Sequence, residues 1–273
     1  MPHYICITCG TQHAASDQPP PRCAICEDER QFVNWGGQQW TTLERLRERH
    51  GIVLRREGPG LDGVGIEPPF AIGQRALLVR TASGNVLWDC IPLIDGAIAD
   101  AVQGLGGITA IAISHPHYYS AMVEWSEACD GAPIYLHAAD RAWVMRPHPA
   151  IRFWEGERHD LGPGLTLIRC GGHFAGGTVL HWAGGASGEG AVVSGDILQV
   201  TEDRRYVSFM YSYPNYIPLG AAAVRHILAS LEPFAYEHVY GAWWDRKIVA
   251  GGRDAVRRSG ERYLKAISAG PPP

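Results

Sequence analysis

Short apolar runs alternate with glycine- and proline-rich turns along most of the chain. Residues 108–113 form an apolar, β-branched run that is typical of a buried strand. Similar strand-like runs lie at residues 76–80, 86–88, 133–137, 165–169, 178–182, 191–194 and 238–240. Helices are predicted at residues 95–103, 122–128, 138–145, 220–230 and 254–267. A hairpin, then strand–helix alternation, then further strands and helices predict a mixed α/β (α+β) fold with two sheets and helices outside them.

The part of the chain that precedes this pattern is organised differently. Thr41 or Thr42 begins a predicted helix in TTLERLRERH that ends at Gly51. Residues 58–69 are rich in glycine and proline, which predicts a connector. We therefore expect three parts, which are a small N-terminal knuckle at 1–40, a helix and linker at 41–69, and a main domain at 70–273.

Composition narrows the classes of function. The 273 residues carry a formal net charge of −4, which excludes the basic surface of a typical nucleic-acid-binding protein. No apolar run approaches the ~20 residues of a membrane helix, and the N-terminal MPHYICIT lacks the pattern of a secretory signal. We expect a cytoplasmic protein that acts on a small molecule, with no nucleic-acid or membrane partner. A homo-oligomer is compatible with this composition.

Two C-x-x-C pairs stand at the N-terminus. Cys6 and Cys9 form the first pair, Cys23 and Cys26 form the second, and 13 residues separate the pairs. Two such turns can present four thiolates to one tetrahedral metal ion, and Gly10 supplies the permissive backbone that the first turn needs. Two disulfides are the alternative. The stretch resembles a zinc ribbon or a rubredoxin-type knuckle, so we expect zinc here, with iron as the other candidate.

A second set of metal-ligand residue types follows predicted strands of the main domain. His115 and His117 flank a proline directly after the 108–113 run, and alternation along an extended H-x-H turns both imidazoles to one side. His173 lies in the glycine-rich GGHFAGG, and Asp196 follows a strand in VVSGDIL. Three imidazoles and one carboxylate suit zinc or iron.

These residues resemble the signature of the metallo-β-lactamase-fold superfamily, an αββα sandwich of mostly metal-dependent hydrolases. The family signature is H-x-H-x-D-H, then a lone His, an Asp and a final His after the last strand. The resemblance covers residues 70 to the C-terminus and implies that four residues hold a metal, namely His115, His117, His173 and Asp196.

The chain departs from that signature at three positions. Tyr119 stands in place of the signature Asp, Ser120 in place of the adjacent His, and Ala242 in place of the final His. In the family these three residues complete a second metal site, and the Asp is credited with handling the proton of the attacking water. We therefore predict one metal in the cleft instead of two.

A mononuclear zinc centre predicts hydrolysis of a small ester, lactone, thioester or amide. In this interpretation Asp196 takes a proton, and Tyr118 or Tyr119 donates a hydrogen bond to an oxyanion. The aromatic-rich residues 203–219 are predicted to wall the substrate pocket or to pack on the core.

Two other functions compete with hydrolysis. Two histidines and a carboxylate also suit non-haem iron and oxygen, as in the sulfur dioxygenases of the same superfamily. The third hypothesis is a sensor or ligand-binding module without catalysis. Zinc favours hydrolysis, iron favours oxygen chemistry, and a metal-free cleft favours the binding module.

Overall fold

A computed structural model describes residues 1–268 of the chain. Residues 269–273, the end of the predicted main domain, lie outside the described residues. The chain divides into two compact units, Met1–Trp154 and Glu155–Pro273. The domain boundaries expected from the sequence stay a prediction. Within residues 1–268, no helix combines the length and the apolar character that crossing a membrane requires.

The first unit is built on a seven-stranded sheet in the order β3-β4-β5-β6-β7-β8-β9. The strands of this unit are β1 (Ile5–Cys6), β2 (Trp40–Thr41), β3 (Gly51–Gly58), β4 (Leu61–Glu67), β5 (Ala76–Val79), β6 (Val86–Trp88), β7 (Ala110–Ala112), β8 (Ile134–His137) and β9 (Ile151–Trp154). Strands β3 to β6 pair antiparallel, whereas β6 to β9 run parallel. The parallel strands end at one edge of the sheet, and the loop with the two histidines leaves β7 at that edge.

Helices of the first unit follow the sequence prediction in part. They are α1 (Ala24–Glu27), α2 (Leu43–Arg47), α3 (Gly96–Gly104) and α4 (Met122–Ala128). Asp95 caps α3 as predicted, because its Oδ1 accepts a hydrogen bond from the Ile98 N–H at 2.8 Å. The predicted helix at 138–145 is instead a 3₁₀ helix over Ala138–Trp143.

The connector predicted at 58–69 is wrong. Residues 51–67 form the β3–β4 hairpin, and β4 pairs with β3 on one side and β5 on the other. Leu61, Val64 and Ile66 are buried. Glycines lower the strand propensity of this segment, but backbone pairing with two neighbours and burial of its apolar side chains outweigh that propensity.

The second unit contains a six-stranded sheet in the order β10-β11-β12-β13-β18-β19. The strands of this unit are β10 (Arg158–Gly162), β11 (Leu165–Arg169), β12 (Thr178–Trp182), β13 (Ala191–Gly195), β14 (Gln199–Val200), β15 (Val207–Ser208), β16 (Met210–Ser212), β17 (Ile217–Pro218), β18 (His238–Gly241) and β19 (Lys247–Ile248). Strands β14 and β15 form one separate two-stranded sheet, and β16 and β17 form another. Helices α5 (Ala221–Leu231) and α6 (Gly252–Ser268) contribute Val224, Ile227 and Val256 to its apolar core. Strands β13 and β18 run parallel, with Gly195 opposite Gly241.

Candidate metal centres

The four N-terminal cysteines form one compact cluster, the cysteine cluster. Their Sγ atoms all lie within 4.8 Å of one another, with 3.5 Å between Cys6 and Cys26 and 3.7 Å between Cys9 and Cys23. Thiolates on a tetrahedral zinc ion, with Zn–S near 2.3 Å, lie about 3.8 Å apart. A disulfide would need about 2.05 Å, and all four cysteines are free. The spacing fits a tetrathiolate metal ion.

The backbone of the first cysteine turn is closed by its own hydrogen bonds. The Gly10 N–H donates to the Cys6 carbonyl at 2.8 Å, and the Cys6 N–H donates to the Thr11 carbonyl at 3.0 Å. Gly10 has a φ of +80°, a left-handed conformation that favours glycine. The Gln38 side-chain amide donates to the Cys6 sulfur at 3.1 Å. These hydrogen bonds fix the backbone of the turn that carries the sulfur atoms of Cys6 and Cys9.

Hydrogen bonds among the thiols lower the pKa of Cys6 and Cys23 and raise the pKa of Cys26. Hydrogen bonds from Cys26, Cys6 and Cys9 lower the pKa of the Cys23 thiol, whereas burial raises the pKa of Cys9. One thiolate therefore concentrates negative charge among buried neighbours. A cation at the centre would stabilise this charge and favour deprotonation of the remaining thiols.

His115 leaves β7 in an extended conformation, whereas His117 lies in the 3₁₀ helix that follows, so the extended H-x-H expected from the sequence is observed only at its first histidine. Ser114 and His115 follow the strand, and a 3₁₀ helix begins at the intervening proline. Both imidazoles are buried, with ring centroids 5.1 Å apart. The Ser114 hydroxyl is 2.8 Å from Nδ1 of His115, and the Ser114 N–H donates to Asp89 Oδ1 at 2.7 Å. These contacts fix the ring of His115 and leave its Nε2 as the ligand atom.

His173 and Asp196 are positioned by contacts within the second unit. His173 Nδ1 lies 2.8 Å from the Tyr211 carbonyl, which can only accept, so Nδ1 carries the proton and Nε2 is the ligand atom. Asp196 follows β13, and burial raises the pKa of its carboxyl to about 7. A cation beside a buried carboxylate offsets this desolvation.

The four candidate ligands His115, His117, His173 and Asp196 are called the histidine group. All four residues are buried, two in each of the compact units. Three imidazoles with one carboxylate are a donor set that zinc and iron accept. The residues fit a single divalent metal ion.

The other residues singled out from the sequence have varied surroundings. Tyr118 is buried, with its ring edge-on to His115 at 5.5 Å. Tyr119 is also buried, and burial together with the charge of Asp140 raises the pKa of its phenol well above the usual range. Ser120 is buried in the same loop. The catalytic roles of the two tyrosines stay predictions.

One supporting residue, Tyr213, was missed in the sequence. Its hydroxyl donates to the Asp196 carbonyl at 2.6 Å, and its ring lies 5.7 Å from that of His173. Tyr213 therefore contacts two members of the histidine group. The aromatic run at 203–219 was the signal available, but the run does not indicate which ring approaches the ligands. Phe209 of the same run is a core residue.

Comparisons with solved structures identify the fold. FIM-1, a metallo-β-lactamase from Pseudomonas aeruginosa in a mono-zinc form, aligns over 80% of this chain and 97% of its own, with a TM-score of 0.60 and 14% identity. The DIM-1 metallo-β-lactamase aligns over 79% of this chain and 98% of its own, with a TM-score of 0.56 and 10% identity. TTHA1623 in a di-iron-bound form aligns over 72% of this chain and 97% of its own, with a TM-score of 0.51 and 25% identity.

Sequence comparison adds a relative that matches nearly the whole chain. No family model matches the sequence. The Bacillus subtilis (strain 168) protein described as "Uncharacterized protein YmaE" is 50% identical over 272 residues, which cover 98% of each chain. The structural similarity confirms the fold expected from the histidine and aspartate motifs. The chain therefore belongs to the same family as YmaE of Bacillus subtilis, and this family has the metallo-β-lactamase fold.

Proposed function

We propose that this protein is a metal-dependent hydrolase with one zinc ion in the histidine group, acting on a small ester, lactone, thioester or amide. The observation that supports this proposal is a set of three buried imidazoles and one buried carboxylate, each at the end of a strand or in the loop after it, in a metallo-β-lactamase fold. Three imidazoles suffice for a catalytic zinc site and leave its fourth position open to water, so that Asp196 is available to accept a proton.

The number of ions follows from the residues beside the histidine group. Tyr119, Ser120 and Ala242 stand where the family signature has an aspartate and two histidines. A phenol of raised pKa, a hydroxyl and a methyl group are poor ligands for a second divalent ion. The proposal is therefore a mononuclear centre.

The chain's own residues supply the remaining parts of the hydrolytic reaction. When bound, zinc would polarise a substrate carbonyl and acidify water. Asp196 would accept the proton that the attacking water loses, because its carboxylate belongs to the histidine group. Tyr118 or Tyr119 would donate a hydrogen bond to the developing oxyanion. The raised pKa of Tyr119 keeps its phenol protonated and able to donate.

We propose a second, structural zinc ion in the cysteine cluster. Its support is the 3.5 and 3.7 Å sulfur separations and the absence of disulfides among these four residues. Free, metal-binding thiols persist in a reducing compartment, which agrees with a cytoplasmic location.

Metal content counted by element, followed by activity assays, tests the hydrolase proposal. We expect about two zinc ions per chain, and His173→Ala should lose one ion together with hydrolysis of ester, lactone and thioester substrates. His181→Gln is the matched control, because His181 is a buried histidine whose ring contacts the Ala235 carbonyl at 2.9 Å. Wild-type protein that contains a single ion, or a His173→Ala variant with full activity, would contradict the proposal.

An iron-dependent oxygenase, similar to a sulfur dioxygenase, is the second candidate. It is favoured by the similarity to TTHA1623, a protein observed in a di-iron-bound form, and by the ability of two histidines and a carboxylate to hold Fe(II). Iron in the purified protein and oxygen uptake with a persulfide substrate would support this function over hydrolysis. A protein that binds no metal at the histidine group would instead support a ligand-binding module.

A further inference from the structure

The turn that follows Cys9 contacts the loop that follows His117. The Gln12 N–H donates to the Ser120 carbonyl at 3.1 Å, and Ser120 lies three residues beyond His117. Cys9, His117 and Ser120 also line one small cavity together with Cys90. The cysteine cluster and the histidine loop are therefore joined through a direct backbone contact.

The side chain of Gln12 makes a second connection between the same two segments. Its amide nitrogen donates to Glu124 Oε1 at 3.1 Å, and Arg146 donates to both the Gln12 amide oxygen and Glu124, the latter at 2.7 Å. Glu124 belongs to α4, the helix that follows the histidine loop. Gln12 is 3% exposed, and its hydrogen bonds with Glu124 and Arg146 are partly buried. Hydrogen bonds to charged groups contribute more than those between neutral groups.

The position of Gln12 depends in turn on the cysteine turn. Two backbone hydrogen bonds, from Gly10 to Cys6 and from Cys6 to Thr11, close that turn. A metal ion bound by Cys6 and Cys9 would add two coordinate bonds within the turn and would tie it to the second cysteine pair. Metal binding therefore removes conformational freedom from the residues that precede Gln12.

We propose that the two metal centres are thermodynamically coupled, so that an ion in the cysteine cluster raises the affinity of the histidine group for its own ion. The proposal rests on the metal binding put forward above. Gln12 acts as a positioning residue, because it transmits the order of the cysteine turn to the loop that carries His115 and His117. Coupling of this kind is reciprocal, so each ion favours the binding of the other by the same factor.

Cobalt(II) titration of the full-length protein tests the coupling. Thiolate ligation of cobalt gives near-ultraviolet charge-transfer absorption that the histidine group lacks. This absorption reports the cysteine cluster, and total bound cobalt less that fraction reports the histidine group. Cys23→Ser should abolish the thiolate bands and weaken cobalt binding at the histidine group about 10–100-fold, the range for loss of residues that orient metal ligands. An unchanged dissociation constant at the histidine group overturns the proposal.

Two further variants keep the test independent of general destabilisation. Cys129→Ser removes a buried free thiol of the same unit that belongs to neither metal group, and it should leave both dissociation constants unchanged. Gln12→Ala keeps all four cysteines and should weaken binding at the histidine group about 3–10-fold, since it removes the side-chain connection only. Combined with Cys23→Ser, the Gln12→Ala change should have a smaller effect than it has alone.

The outcomes for the two proposals are distinct. If wild-type protein binds cobalt at the histidine group and hydrolyses no ester, lactone or thioester, the proposed function fails while the coupling is still measured. If His173→Ala weakens binding at the cysteine cluster by the same factor that Cys23→Ser produces at the histidine group, the coupling is supported. If the effects of Gln12→Ala and Cys23→Ser on cobalt binding at the histidine group are purely additive, the proposed positioning role of Gln12 is overturned.

Discussion

Replacing Gly10 by alanine tests whether the turn that carries Cys6 and Cys9 packs closely against Pro92. Gly10 has a φ of +80°, and a Cβ atom there would lie 2.8 Å from Pro92 Cγ and 3.3 Å from Ala71 Cβ. Gly37, in the same part of the chain, has a φ of +81° but no atom within 4 Å of its added Cβ. The two glycines therefore have the same left-handed backbone conformation, and they differ in the space that an added Cβ atom would have.

The expected magnitudes follow from that difference. A left-handed backbone costs an alanine about 1–2 kcal/mol, so Gly37→Ala should lower the free energy of unfolding by roughly this amount. Gly10→Ala adds overpacking against a proline ring that cannot rotate away, which costs about 1–3 kcal/mol more. We expect a total loss of about 2–5 kcal/mol for Gly10→Ala.

Urea denaturation in excess zinc measures both variants, and zinc content after dialysis measures the cysteine cluster. Gly10→Ala should lose zinc more readily than Gly37→Ala, because the displaced turn carries Cys6 and Cys9. Equal losses of stability in the two variants would refute the packing of this turn against Pro92, since only the shared backbone strain would remain.

Three other changes have defined outcomes. Tyr213→Phe should lower the free energy of unfolding by about 1 kcal/mol, because the buried Asp196 backbone carbonyl loses the hydroxyl that donates to it at 2.6 Å. A change below about 0.3 kcal/mol in urea denaturation, which is the error of such comparisons, would contradict this prediction. Arg75→Met should cost about 3–5 kcal/mol, since it leaves Glu57 buried beside an apolar chain, and adding Glu57→Leu should restore most of the loss in the same assay. Zinc at 100 times its dissociation constant should raise the free energy of unfolding of the metal-free protein by about 2.7 kcal/mol per site, and an unaltered melting curve would argue against binding to the native state.

Local patterns in the sequence predicted much of the fold. The apolar run at 108–113 is observed as β7, and Asp95 caps α3. These features depend on residues that are close in sequence, such as a carboxylate three residues before a free N–H. The β3–β4 hairpin was missed because its glycines and proline resemble a connector, and only its sheet partners reveal it as strand.

The candidate ligands could also be predicted, but their supports could not. The C-x-x-C spacing of Cys6 and Cys9 indicates metal ligands, and so does the H-x-H motif of His115 and His117. The hydrogen bond from Gln12 to Ser120 joins residues 108 positions apart, and neither residue type signals the other. Tyr213 likewise reaches Asp196 only because the chain folds back after β13. Such contacts are set by tertiary packing, which a local pattern does not encode.

The register between β13 and β18 has a consequence for redesign of the site. Gly195 lies opposite Gly241, so the residues that follow, Asp196 and Ala242, leave neighbouring parallel strands at the same edge. The backbone at position 242 is therefore placed to present a side chain at the same edge as the carboxylate, and the residue there ends in a methyl group. An Ala242→His substitution would add an imidazole at this edge with no change in the strand register.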